Sequence, residues 1–341
     1  MMPLHCFRFF LLFLFVFSLT VFAGKDEKEI RWDEAASEVD SFPFSKQFVD
    51  SVISRHKVEQ PQLHLRSMKQ LVTCPAETLV YTVGWGPFNA GYVVLTTRYN
   101  KETGTVTLGG KALSNNFISA FYRMRDYVIS TMDEKGLYPL FFEQHLREGK
   151  KYKSNEYILF DNIAGKVHVQ SRKKFKTVEA PKFTYDYLSV LHLLRFARAI
   201  APGDTFSEKL FIHSKVHSIR FSVKTSKPKK VEAGTFPCIL LKPKLAGEGR
   251  AFNKRDKLEI WLSDDKRRIP VAIRSKIKFG AINARLIWYS RTDCDGKQAT
   301  EQATEQAAEQ AADQNTEQDT EQDTDQDTDQ NTDQNTEKST E

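Results

Sequence analysis

From Glu77 to Tyr289 the large apolar residues recur mainly at every second position, and this period constrains the fold more than any other feature. Leu79, Tyr81, Val83 and Trp85 open the pattern, and Ala90–Tyr99 continues it beyond a bend at Gly84 and Gly86-Pro87. Successive side chains of a strand point to opposite faces, so such alternation buries one face of a sheet. The links are short. Asp133-Glu134-Lys135-Gly136 joins Tyr127–Met132 to Leu137–Leu146, Glu148-Gly149-Lys150 leads into Tyr152–Phe160, and Asp161–Gly165 leads into Val167–Val178. Such links cannot hold a crossover helix, so neighbouring strands are expected to pair antiparallel. Further strands are expected at 205–213, 216–225, 235–242, 257–263, 269–279 and 281–289.

One segment breaks the period. Over Thr184–Ile200, Tyr187, Leu188, Leu191, Leu194 and Ala197 fall at helical spacing, with Thr184 or Asp186 as cap and Pro202-Gly203 as stop. A sheet must bury its concave face against something apolar, and this helix fits that need. The expected fold is therefore mainly β: a long curled antiparallel sheet, half-barrel-like, wrapped around one central helix. Two smaller stacked domains are the alternative. A helical N-terminal extension precedes the sheet, with Phe44, Phe48, Val52 and Ile53 at helical spacing after Ser45 and a stop at Pro61.

The ends carry different information. Arg8 followed by the apolar run Phe9–Phe17, with Val21 and Ala23 before Gly24, reads as a cleaved secretory leader. Cys6 precedes the apolar run, so no lipid anchor is expected, and no later stretch is long enough to span a bilayer. The chain divides into a signal peptide (1–23), an N-terminal extension (24–75), a β-rich domain (76–292) and a tail (298–341). The tail repeats Thr-Glu-Gln-Ala, drifting to Thr-Asp-Gln-Asp, and its composition predicts disorder. It holds 14 Asp plus Glu against one Lys, whereas residues 1–297 hold 49 Lys plus Arg against 30 Asp plus Glu, a net of +19. In an exported protein such a basic body points to lipid head groups or wall polymers, and export argues against nucleic acid. The tail can also compete for the basic body by folding back onto it.

Catalytic and metal motifs are weak. His213 and His217 lie four apart in a strand pattern, roughly 13 Å along one face, too far to share a metal. Asp264-Asp265 is followed at once by Lys266-Arg267-Arg268 and reads as a charged hairpin tip. No phosphate loop, nucleophile elbow or dinucleotide fingerprint occurs, so no enzyme activity and no cofactor are expected, and a hydrolase is the least favoured reading. Beyond the leader, Cys74, Cys238 and Cys294 allow one disulfide and one thiol. The strand aromatics Trp85, Phe142, Trp261 and Trp288 are the candidates to line an apolar cavity, the alternative being simple core filling.

Several stretches occur together in order: Leu79–Gly86 with Ala90-Gly91, Gly136–Leu140 leading to Arg147-Glu148-Gly149, Asp186–Ser189, and Ile260–Asp265 through Arg268–Val271 to Phe279-Gly280. This set resembles the exported bacterial family called domain of unknown function 3108 over roughly residues 76–292. The resemblance implies an envelope location and a β-rich fold, and it supplies no catalytic residues. Its curled sheet is similar to the lipoprotein-carrier half-barrel, an analogy that favours a lipid ligand. The expected function is a non-enzymatic periplasmic or envelope-surface protein that binds a lipid or another amphipathic envelope component. A scaffold holding an anionic wall polymer through its basic face is the alternative.

Overall fold

A computed structural model describes residues 54, 63–68, 76–85, 88–171, 174–196, 200–246, 257–276 and 280–292. The leader, the Phe44–Ile53 stripe, Cys74, Cys294 and the tail lie outside the described residues. The expected helical stretch before Pro61 lies outside the described residues apart from Ser54, and Leu63–Arg66, beyond that stop, forms a turn and bend, so the helical extension is not supported. Among the described residues there are sixteen strands: β1 (Ala76–Trp85), β2 (Phe88–Asn100), β3 (Thr105–Ser114), β4 (Arg125–Asp133), β5 (Pro139–Glu148), β6 (Tyr152–Asp161), β7 (Lys166–Ser171), β8 (Lys174–Glu179), β9 (Thr205–Ile212), β10 (Lys215–Thr225), β11 (Lys229–Val231), β12 (Gly234–Phe236), β13 (Cys238–Ala246), β14 (Lys257–Ser263), β15 (Pro270–Lys276) and β16 (Ala281–Thr292). Two helices accompany them, α1 (Asn116–Tyr122) and α2 (Tyr187–Phe196).

Fourteen strands form one antiparallel sheet in the order β8-β7-β6-β5-β4-β3-β2-β1-β16-β15-β14-β13-β10-β9, and β11 and β12 form a separate hairpin. The sheet does not close, because β8 and β9 are both edges. Beyond β8 the chain reaches back to the other edge: Tyr185 N donates to the Lys209 carbonyl and Phe211 N donates to the Tyr185 carbonyl, at 2.8 and 2.7 Å. This contact gives β9 backbone partners that an open edge would lack.

The alternation works as the sequence implies. Leu79, Tyr81 and Val83 of β1 join the main core, while Val80 packs on the opposite face with Val94, Leu113, Ile287 and Trp288. The β4–β5 and β14–β15 links fall where the turn chemistry places them. At the second tip, Asp265 accepts from the Arg267 guanidinium at 2.6 Å and from the Ser263 hydroxyl at 2.8 Å.

Three details depart from the expected layout. Val167–Val178 is a hairpin, β7 against β8, rather than one strand; the polar run Ser171-Arg172-Lys173-Lys174 holds no Gly, Pro, Asn or Asp to mark a turn. β3 runs straight through Gly109 and Gly110. A Cβ on Gly110 would come 2.7 Å from Val128 Cγ2, so the glycine lets β4 and α2 close over β3. The short α1 and the β11–β12 hairpin have no counterpart in the expected layout. Cys238 is a buried free thiol that donates to the Phe236 carbonyl at 3.3 Å, and burial pushes its pKa up to about 11.

Candidate functional site

The site begins with the way α2 is anchored. Asp186 Oδ1 accepts from Leu188 N and Ser189 N, both at 2.9 Å, while Ser189 Oγ accepts from Asp186 N at 3.0 Å, a reciprocal cap. Asp186 Oδ2 accepts from Ser130 Oγ of β4 at 2.7 Å, which ties the cap to the sheet. Burial raises the pKa of Asp186, and the bonds from Ser189, Ser130 and Leu188 oppose that rise. The other end is held by charge. Arg195 Nη1 and Nη2 meet the Glu77 carboxylate at 2.7 and 2.8 Å, and the same guanidinium donates to the Arg268 and Arg267 carbonyls. The helix is thereby fixed against β4 at its start and β1 at its end.

Between these anchors the helix leaves a gap. A cleft of about 80 Å³ is lined by Tyr187, Leu188, Val190, Leu191 and Leu194 of α2, and by Leu95, Leu210, Ile219, Phe221, Pro243, Leu258, Ile260 and Ile273 of the sheet. Tyr187 is the one lining residue whose side chain carries a polar atom. The cleft has roughly half the ~150 Å³ volume of an apolar cavity that holds one benzene ring. It therefore fits the end of an apolar chain rather than a whole lipid.

Tyr187 links the cleft to a polar patch. Its ring meets Phe142 edge-on at 5.2 Å, and its buried hydroxyl has no hydrogen-bond partner among the described residues. Burial raises its pKa, with Asp186, Asp126 and Glu156 adding to the effect. Gln144 Oε1 is likewise buried without a partner among the described residues, and Gln144 pairs across the β5–β6 register with Glu156. Burial lifts Glu156 to about 7. Opposite chemistries thus meet at one side chain, aliphatic on one flank of Tyr187 and acidic on the other.

The four aromatic candidates are not brought together. Phe142 is buried and touches Tyr187, next to the cleft but not lining it. Trp85 ends β1 beside Gly280, where an added Cβ would stand 2.9 Å from the indole Nε1. Trp261 pairs with Leu240 and Ala272, so it faces away from the cleft residue Ile260, and Lys229 Nζ sits 3.8 Å above its ring. Trp288 belongs to the separate cluster on the opposite sheet face. The residues that do line the cleft are aliphatic. Leu188, Leu191 and Leu194 were visible as part of the helical stripe, but the stripe alone cannot distinguish core from cavity wall. His213 stands in the β9–β10 turn and His217 on β10, and among the described residues no group of three His, Cys, Asp or Glu could hold a metal ion.

The chain matches the model of a family described as protein of unknown function DUF3108 over residues 80–287. It belongs to that family. The DUF3108 match spans β1 to β16 and includes α2 and every sheet residue of the cleft. No curated protein matches the chain. A solved crystal structure, a β-barrel-like protein of domain of unknown function DUF1849 from Brucella abortus, matches with a TM-score of 0.47 and 12% identity, covering 65% of this chain and 100% of that one.

Proposed function

We propose that this DUF3108 protein is a non-enzymatic binding protein of the cell envelope whose cleft beside α2 takes the apolar end of a lipid or another amphipathic component. The observation that carries this reading is the cleft lining, thirteen residues with one side-chain polar atom among them. Burying each methylene of a guest contributes about 0.8 kcal/mol, so even a short inserted tail supplies useful affinity. The reading takes the sheet as a half-barrel curled about α2, supported by the convergence of residues from β2, β9, β10, β13, β14 and β15 on one face of that helix. It also takes the protein as exported, supported by Arg8 and the apolar run Phe9–Phe17.

Native mass spectrometry of the protein purified from its own envelope tests the reading, together with titration of a fluorescent fatty acid. A co-purifying lipid and saturable probe binding are expected. Leu191, half-buried on the cleft side of α2, offers the control: Leu191→Trp fills the space and is expected to weaken the probe by about tenfold or more, the loss of roughly two buried methylenes. An empty protein that binds no probe, or a Leu191→Trp variant that binds as well as the natural chain, would overturn the reading.

A further inference from the structure

In an antiparallel sheet all strand links gather at two ends, and here the two ends differ in charge. One end carries Phe88–Ala90, Ser114–Arg125 with α1, Glu148–Lys153, the Ser171 and Lys174 flanks, His213–Lys215, and Lys276 with Gly280-Ala281. Across these described segments the cations are Arg123, Arg125, Lys150, Lys151, Lys153, Lys174, Lys215 and Lys276. Their one carboxylate, Glu148, is buried and accepts from the Tyr122 hydroxyl at 2.8 Å. At the opposite end the links hold Glu102, Asp133, Glu134, Asp161, Glu179, Asp204, Glu232, Asp264 and Asp265 among their cations. Across the described segments this end is therefore of one sign apart from the buried Glu148.

The same end carries the exposed aromatics. Phe88, Phe117 and Phe121 are 57%, 50% and 42% exposed, and they are the most exposed large apolar side chains among the described residues. Phe117 and Phe121 lie one turn apart on α1 with ring centroids 5.8 Å apart. Asn115 ties α1 to the start of β2, through its N–H to the Ala90 carbonyl at 3.0 Å and its side chain to the Asn89 carbonyl at 2.8 Å. This places Phe88 at the foot of α1. Rings at loop tips within a one-sign basic rim suit a surface that is apolar at depth and anionic above, whereas a protein groove would call for a broader apolar face.

We propose that the α1 end is a membrane-docking face: Phe88, Phe117 and Phe121 enter the head-group boundary of an anionic lipid surface, and Arg123, Lys150 and Lys151 meet its phosphates. Three residues of the cleft wall stand near this end. Leu258 is the second residue of β14, Leu210 stands two residues before the end of β9, and Pro243 stands three before the end of β13. Docking by the α1 end thus brings the apolar cleft toward the bilayer, although the docking face stands without the ligand reading.

Flotation of the full chain with phosphatidylcholine vesicles, with and without phosphatidylglycerol, tests the face. Binding is expected only with the anionic lipid, and it is expected to weaken at about 0.5 M salt, where the Debye length shrinks to a few ångströms. Phe117→Ser with Phe121→Ser, and separately Lys150→Glu with Lys151→Glu, are each expected to reduce binding about tenfold or more without changing the thermal midpoint. No flotation of the natural chain, equal binding to neutral vesicles, or unaltered binding by both variants would overturn the proposal. Retention of an envelope protein through the α1 end without vesicle binding would overturn it in favour of a protein partner. Fatty-acid titration without vesicles reads the cleft alone, so failure of either proposal leaves the other separately measurable.

Discussion

His192 and Glu156 are buried ionisable groups whose pH effects oppose each other. His192 sits in α2 with both ring nitrogens unpartnered among the described residues, and burial, with the Arg195 charge, lowers its pKa to about 3. Below its unfolded pKa of 6.5 the unfolded chain binds a proton that the folded chain refuses, so His192 removes stability as pH falls toward 3. Glu156 does the reverse. Its pKa rises from 4.5 to about 7, so the folded chain keeps a proton that the unfolded chain releases, and Glu156 removes stability as pH climbs through that window. Each slope approaches about 1.4 kcal/mol per pH unit between the two pKa values of its group. Relative to the natural chain, Glu156→Gln should gain stability from pH 4.5 to 7, while His192→Leu should gain it as pH drops below 6.5. Urea midpoints across this range check both, and parallel pH profiles for variant and natural chain would refute the assignment. His192→Leu should also be more stable at neutral pH by about 1–3 kcal/mol, because it removes two unsatisfied buried polar atoms.

At the scale of elements, α2 depends on its two anchors more than on propensity, since a ten-residue helix is marginal alone. Glu77→Ala would leave the Arg195 guanidinium buried without its carboxylate, an expected loss of about 3–5 kcal/mol. Asp186→Ala removes the cap and the bond to Ser130, an expected loss of about 1–2 kcal/mol from the cap alone. Thermal melts check both, and a change below half a kilocalorie at Glu77 would show that the pair is dispensable. The same element shows where sequence reading reached its limit. The helix was expected over 184–200 and begins at Tyr187, because the Tyr185 backbone bonds to Lys209 and Phe211 of β9 instead of continuing a helical ladder. A capping residue is readable locally, but competition from a strand some twenty-five residues later is not.

For the whole molecule, charge and apolar surface are arranged by topology. Residues 1–297 carry a net of +19, yet that figure alone says nothing of where the cations gather. Alternating strand direction sends the links to two ends, and only the strand order collects Arg123, Lys150, Lys215 and Lys276 at one of them. The cleft arises in the same way. Leu95 and Ile273 are 178 residues apart in sequence and line one cleft because β2 and β15 belong to one sheet beside α2. The aromatic candidates scattered for a matching reason: Trp288 stands one residue off the core period, and a shift of one position in a strand reverses the face, while Trp261 is buried in the main core without lining the cleft.

By itself the sequence determined most of the strands, the antiparallel pairing of chain neighbours and the helix that interrupts them, because period-two burial, short links and a capped stripe are local signals. It also determined the family, through motifs kept in order. Only the tertiary structure decided which residues line the cleft, which aromatics reach solvent and where the positive charge collects. Those depend on contacts between residues far apart in the chain, and no local pattern records them.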